Sequence, residues 1–125
     1  MVQITAKTIA RVERDLRRYP DWIVRLQARG LGLPPGSPLN SGVGGGSSSV
    51  EAAYSIDTEI QRKVFVIENV YDRLNPTAKK LVDQRYFRDY PQKQVADDLG
   101  LNNRSYYRYR DMAIESFARG FGYID

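Results

Sequence analysis

The chain has 125 residues, a net charge of +4 and neither cysteine nor histidine. That length holds one small domain with an extension rather than two ordinary domains. Disulfides, zinc sites of the usual Cys/His kinds and catalysis through a Cys or His nucleophile or base are excluded by the missing residue types.

The first predicted element is a helix over roughly Thr5–Arg29. Ile9, Val12, Leu16, Tyr19, Ile23 and Leu26 are spaced 3, 4, 3, 4, 3, a heptad-like seam. Pro20 interrupts it by removing one hydrogen bond and crowding the preceding turn. The phase of the seam survives the proline, which favours a kink over a break. This opening stretch is rich in both charges and has no apolar signal core. No apolar run anywhere nears the roughly 18 residues of a bilayer span. The expected location is therefore the cytoplasm, with no membrane partner.

Residues 30–50 read as a flexible linker between an N-terminal helical segment (1–29) and a helical domain (51–125). GLGLPPGSPLNSGVGGGSSS is dominated by Gly, Pro and Ser, which bury too little to offset their ordering entropy. Its run of glycines is no phosphate loop, because the lysine and following Ser/Thr are missing and no strand precedes it.

The helical domain opens with a helix over about Asp57–Leu74. Ile60, Val64, Ile67, Tyr71 and Leu74 form its stripe, which Phe65, Val66 and Val70 widen, so cover on more than one side is expected. Asn75-Pro76 reads as an N-cap followed by proline at the first helical position. A short helix, Thr77–Phe87, follows, and Tyr90-Pro91 repeats the start signal. Nothing alternates with a period of two, so the fold class is all-α.

The stretch Lys93–Asp111, KQVADDLGLNNRSYYRYRD, has the layout of a helix-turn-helix over about residues 91–117. Val95, Ala96 and Leu99 form an apolar stripe. Gly100 stands where a tight turn needs positive φ, Leu101 can plug the corner, and Asn102 can cap the next helix. On a wheel of about 100° per residue, Ala113 and Phe117 fall within about 20° of Tyr106, and Tyr109 about 60° away. Tyr106 and Tyr109 therefore belong to the core. Arg104 and Arg108 fall about 160° from that face, flanked by Ser105 and Tyr107.

A like-charge pair at i,i+4 costs a helix roughly 0.2–0.5 kcal/mol. A merely solvated face would instead pair Arg108 with Asp111. The two arginines suit a polyanion, since arginine forks onto guanine O6 and N7 or onto phosphate. Such a helix fits the DNA major groove. Asn103, Arg104, Ser105, Tyr107 and Arg108 are the candidate base-contacting residues. Lys93, Gln94, Asn102 and Arg110 are the candidate phosphate contacts, with Lys79 and Lys80 behind them; Arg110 has an intramolecular acid as its other option. Asp97 and Asp98 diverge by about 100° on their helix and, with Asp83, read as surface. No metal or other cofactor is expected, and without a nucleophile–base pair the chain is not expected to be an enzyme.

The charge is modest for a nucleic-acid binder, so its placement matters more. Residues 1–30 carry seven basic and three acidic side chains, residues 31–74 three and five, and residues 75–125 nine and seven. A single motif of this size buries little surface on DNA, so a homodimer or higher homo-oligomer on two half-sites is expected.

LNPTAKKLVDQRYFRDYPQKQVADDLGLNNRSYYRYRDMAIESFA resembles the C-terminal module of phage and prophage late-gene regulators of the ArpU/RinA type, a module similar in turn to sigma-factor region four. The likeness is carried by Leu74, Arg85-Tyr86-Phe87, Val95-Ala96, Leu99-Gly100, Arg104, Tyr107-Arg108, Arg110 and Ala113. VERDLRRYPDW resembles the opening helix of the same family. The resemblance implies a sequence-specific double-stranded DNA-binding transcriptional activator of late or packaging genes. Two alternatives stay open: a phage small terminase subunit assembled as a ring, and a sigma-like module that grips RNA polymerase.

Overall fold

Thr5 opens the first helix: its Oγ1 accepts the Thr8 amide at 3.1 Å, satisfying a donor the helix itself cannot. The structure, a computed structural model, describes residues 4–30 and 47–124. Its helices are α1 (Ala6–Gly30), α2 (Ser47–Arg73), α3 (Pro76–Val82), α4 (Gln92–Leu99) and α5 (Asn103–Phe121), with a π-helical turn at Asp83–Phe87. No strand occurs among the described residues, and none of their helices is long and apolar enough to cross a membrane.

Helix α1 neither stops nor restarts at Pro20. Val12 and Leu16 of its seam are fully buried and Tyr19 packs against the core; beyond the proline Trp22 does so, while the expected seam residues Ile23 and Leu26 are half-buried. Each fully buried side chain of this size contributes about 1.5–3 kcal/mol, which together outweighs one missing backbone bond.

Helix α2 begins at Ser47, well before the expected start near Asp57. Positions 47–50 of the linker expected over 30–50 are therefore helical, as is Gly30 at the end of α1. Positions 31–46 lie outside the described residues. Serine is an ordinary occupant of a helix start, where its poor interior propensity costs little.

Helix α2 packs between α1 and α5. Ile60, Val64 and Ile67 are buried, and Val66 and Val70 are packed against the core, while Phe65 stays 68% exposed. Gly120 of α5 makes the second contact close: a Cβ there would sit 2.7 Å from Val66 Cγ1 and 3.1 Å from Val70 Cγ2. Helix propensity favours alanine over glycine by about 1 kcal/mol. Overpacking against valines with one favoured helical rotamer costs about 1–3 kcal/mol. Gly120→Ala is therefore expected to lower stability by about 1 kcal/mol in a denaturant titration; a gain would show that the valines yield.

Asn75 caps α3 with Oδ1 on the Ala78 amide at 2.8 Å, and Pro76 takes the first position, as the sequence predicts. The helix expected to run on to Phe87 ends at Val82, where the π-helical turn follows. Its wider winding appears as Arg88 N–H bonding the Asp83 carbonyl at 2.9 Å, five residues back. The turn buries Tyr86 to 2% exposure and directs Phe87 toward α1 and α2. There its ring lies 4.8 Å from that of Tyr19 and 5.8 Å from that of Tyr71. Asp89 then takes a left-handed φ of 57°, one of the few side chains that tolerate it. Pro91 occupies the N-cap of α4 without a side-chain bond, rather than the first helical position expected for it.

Two acids of α1 turn inward and tie these elements together. Glu13 Oε2 accepts the Tyr86 hydroxyl at 2.7 Å. Asp15, 1% exposed, accepts the Tyr123 hydroxyl at 2.5 Å and the Lys63 ammonium at 3.3 Å. Burial, then the bond to its carboxylate, pushes each phenol's pKa up, so both remain donors.

Candidate functional site

The turn between α4 and α5 follows from local chemistry. Gly100 adopts φ 67°, its N–H bonds the Asp97 carbonyl at 3.2 Å, and Leu101 N–H bonds the Ala96 carbonyl at 2.9 Å. Those two bonds are the glycine-terminated helix end that closes orphan carbonyls. Leu101 packs on the core from the corner. Asn102 Oδ1 accepts the Ser105 amide at 2.8 Å and so starts α5.

Beyond that cap the faces of α5 separate. Tyr106, Ala113 and Phe117 are buried, together with Ile114, Ala118 and Phe121, and Tyr109 packs against the core. Asn103, Arg104, Tyr107 and Arg108 are exposed, and Ser105 is half-buried. Among the described residues neither Arg104 nor Arg108 has a carboxylate partner. Asp111 is taken by Arg110, whose Nε and second guanidinium nitrogen reach Oδ1 at 3.0 and 2.7 Å. Arg108 instead lies 5.4 Å from the Tyr109 ring centre. The pairing expected of a merely solvated face is thus absent, and the two guanidinium groups present their donors to solvent.

Tyr107 is more constrained than an exposed tyrosine need be. Its hydroxyl accepts the Gln92 side-chain amide at 2.8 Å, which joins the first residue of α4 to the first turns of α5. The Arg110 guanidinium covers its ring at 4.9 Å, and Tyr106 meets it edge-on at 5.5 Å. Burial works against the Arg110 charge, but the bond to Asp111 together with the charges of Asp111, Tyr86 and Glu13 outweighs it and raises its pKa, so it stays cationic. The tyrosine keeps its own proton available for donation. A side chain held on three sides loses less entropy when it docks.

Of the candidate phosphate contacts, Lys93 and Gln94 are exposed on the first turn of α4. Asn102 has its carbonyl engaged in the cap and only its amide left to offer. Arg110 takes the intramolecular acid, with a quarter or less of its side chain exposed at 22%. Lys79 leans toward Tyr71 at 5.8 Å, while Asp83 pairs with Arg88 at 3.0 Å. Gln92 carries no signal in the sequence. Its partner lies fifteen residues away, and only contact across the turn, with no period or motif to mark it, brings the two together.

Comparison with family models, curated proteins and solved structures finds no match for the chain.

Proposed function

We propose that the chain is a non-enzymatic, sequence-specific double-stranded DNA-binding regulator, with α4 and α5 acting as a helix-turn-helix. The observation that carries this reading is the outward pair Arg104 and Arg108. Both are exposed at the start of α5, and the nearby acid that would neutralise them is engaged by Arg110. Arg104, Arg108 and Tyr107 read base edges, with Asn103 and Ser105 beside them. Lys93, Gln94 and the Asn102 amide set the register on the backbone, while Arg110 stays on Asp111. The protein acts as a homodimer on two half-sites, and its phage late-gene setting rests on the resemblance of the C-terminal sequence.

Selection from a pool of random duplex DNA tests the reading. The expected result is an enriched motif, palindromic if the dimer is symmetric. Retention without enrichment would reduce the interaction to generic phosphate binding. A closed assembly of eight or more chains in solution would turn the reading toward DNA packaging.

A further inference from the structure

Helix α1 carries a second cationic surface, to which the reading of α5 assigns no role. Lys7, Arg11, Arg14 and Arg18 follow one another at spacings of four, three and four. They fall within about 40° of one line along the helix, and all four are exposed. That line runs on the side away from the buried Val12 and Leu16. Like charges at i,i+3 and i,i+4 destabilise a helix, and the acids nearest them do not offset this. Glu13 is engaged by Tyr86 and Asp15 by Tyr123 and Lys63, leaving Asp21, beyond Arg18, as the exposed acid of the helix. Among the described residues Lys7, Arg11 and Arg18 have no ion pair, and Arg14 comes only within 4.0 Å of Asp15.

Two further contacts define the surface. The Arg11 guanidinium lies over the Tyr123 ring, 3.8 Å from its centre, which orders a cation at the middle of the row. On the flank, Arg17 lies 5.4 Å from the ring centre of Tyr86, whose hydroxyl Glu13 accepts. Helix α1 also packs directly against α5. At 1.5 Å per residue the row spans about 16 Å. A DNA strand presents a phosphate every 3.4 Å or so of axis, so the row matches about four or five of them.

We infer that the outer face of α1 is a sequence-independent phosphate-binding surface, which lies on the phosphodiester backbone of the duplex that α5 reads. The inference rests on the DNA-binding reading of α5. Each neutralised phosphate adds about 0.9 to the slope of log affinity against log salt.

The experiment measures duplex binding across salt for the intact chain, for Lys7→Gln/Arg11→Gln/Arg14→Gln/Arg18→Gln, and for Lys7→Gln/Arg18→Gln, which spares the Arg11–Tyr123 contact. Arg62→Gln/Arg73→Gln removes as much charge as the double variant from exposed positions elsewhere, and Arg104→Ala/Arg108→Ala reports on α5. The expected result is a slope shallower by about 2–4 in the fourfold variant and by about half that in the double variant. Selected and scrambled duplexes should lose affinity equally, while the control double variant changes little. Unchanged slopes in both α1 variants would overturn the inference, and loss of discrimination in the α5 variant would still uphold the reading of α5. An equal effect of the control would overturn it as net charge alone. A shallower slope in the α1 variants beside an unaffected α5 variant would uphold the surface and overturn the site on α5. Failure of the intact chain to bind duplex DNA would overturn both. Loss of binding to phosphatidylserine vesicles at unchanged duplex slopes would overturn the inference in favour of a membrane surface.

Discussion

Replacing Arg104 and Arg108 together by alanine is expected to abolish sequence discrimination while leaving the fold intact. A good bidentate contact between arginine and a base contributes about 1–3 kcal/mol of discrimination. Two such contacts correspond to about thirty-fold to twenty-thousand-fold in affinity for the selected duplex, at 1.4 kcal/mol per tenfold. Both side chains are exposed and lack a carboxylate partner among the described residues. Their loss should therefore move stability by no more than about 0.5 kcal/mol. Arg104→Lys/Arg108→Lys separates charge from geometry, because lysine keeps the cation but lacks the planar fork. That variant should retain binding to scrambled DNA and lose the preference for the selected site. Competition binding with the two duplexes reads both effects. Preserved discrimination in the alanine variant would remove these residues from the site.

The second large effect is on stability and comes from the buried carboxylate of α1. Asp15 is 1% exposed and is held by Tyr123, Lys63 and, at the limit of contact, Arg14. Taking one partner from a buried ion pair leaves a charge with neither water nor counter-ion and costs about 3–5 kcal/mol. Lys63→Met is expected at the lower end of that range, about 3 kcal/mol, because the Tyr123 hydroxyl and the distant Arg14 still face the carboxylate. Asp15→Asn in the same chain removes the stranded charge, so the double variant should recover part of the loss rather than add to it. Denaturant unfolding of the two single variants and the double variant measures this coupling. Simple additivity would show that Lys63 and Asp15 act independently. The Lys63–Asp15 pair ties α2 to α1, and a charge substitution can break it.

What the sequence discloses and what it hides divide along a physical line. Gly100, Asn102 and Asn75-Pro76 are legible because caps and glycine helix ends are made within a few residues, and each forms the bonds its residue type suggests. The faces of α5 are legible for the same reason, since a 3.6-residue period leaves Tyr106 and Phe117 inside and Arg104 and Arg108 outside. Elements settled by distant contacts are not legible. The π-helical turn exists where Tyr86 reaches Glu13 and Phe87 reaches Tyr19, partners on a helix more than sixty residues earlier. The start of α2 at Ser47 is masked by a composition that reads as linker. The inward turn of Glu13 and Asp15 is equally hidden, because an acid on an amphipathic helix normally reads as solvated. Only with those two acids accounted for does the excess of seven basic over three acidic residues in positions 1–30 become a surface rather than a sum.

The central claim is that α5 reads sequence and does not merely hold phosphate. Its most direct test is the affinity of the intact chain for the selected duplex and for a scrambled duplex of equal length, measured together across a salt series. Both affinities should fall steeply and nearly in parallel as salt rises, because counter-ion release is common to them. The gap between them should persist at about a thousand-fold or more, the range in which specific recognition exceeds non-specific binding. Two curves that coincide at every salt concentration would contradict the account.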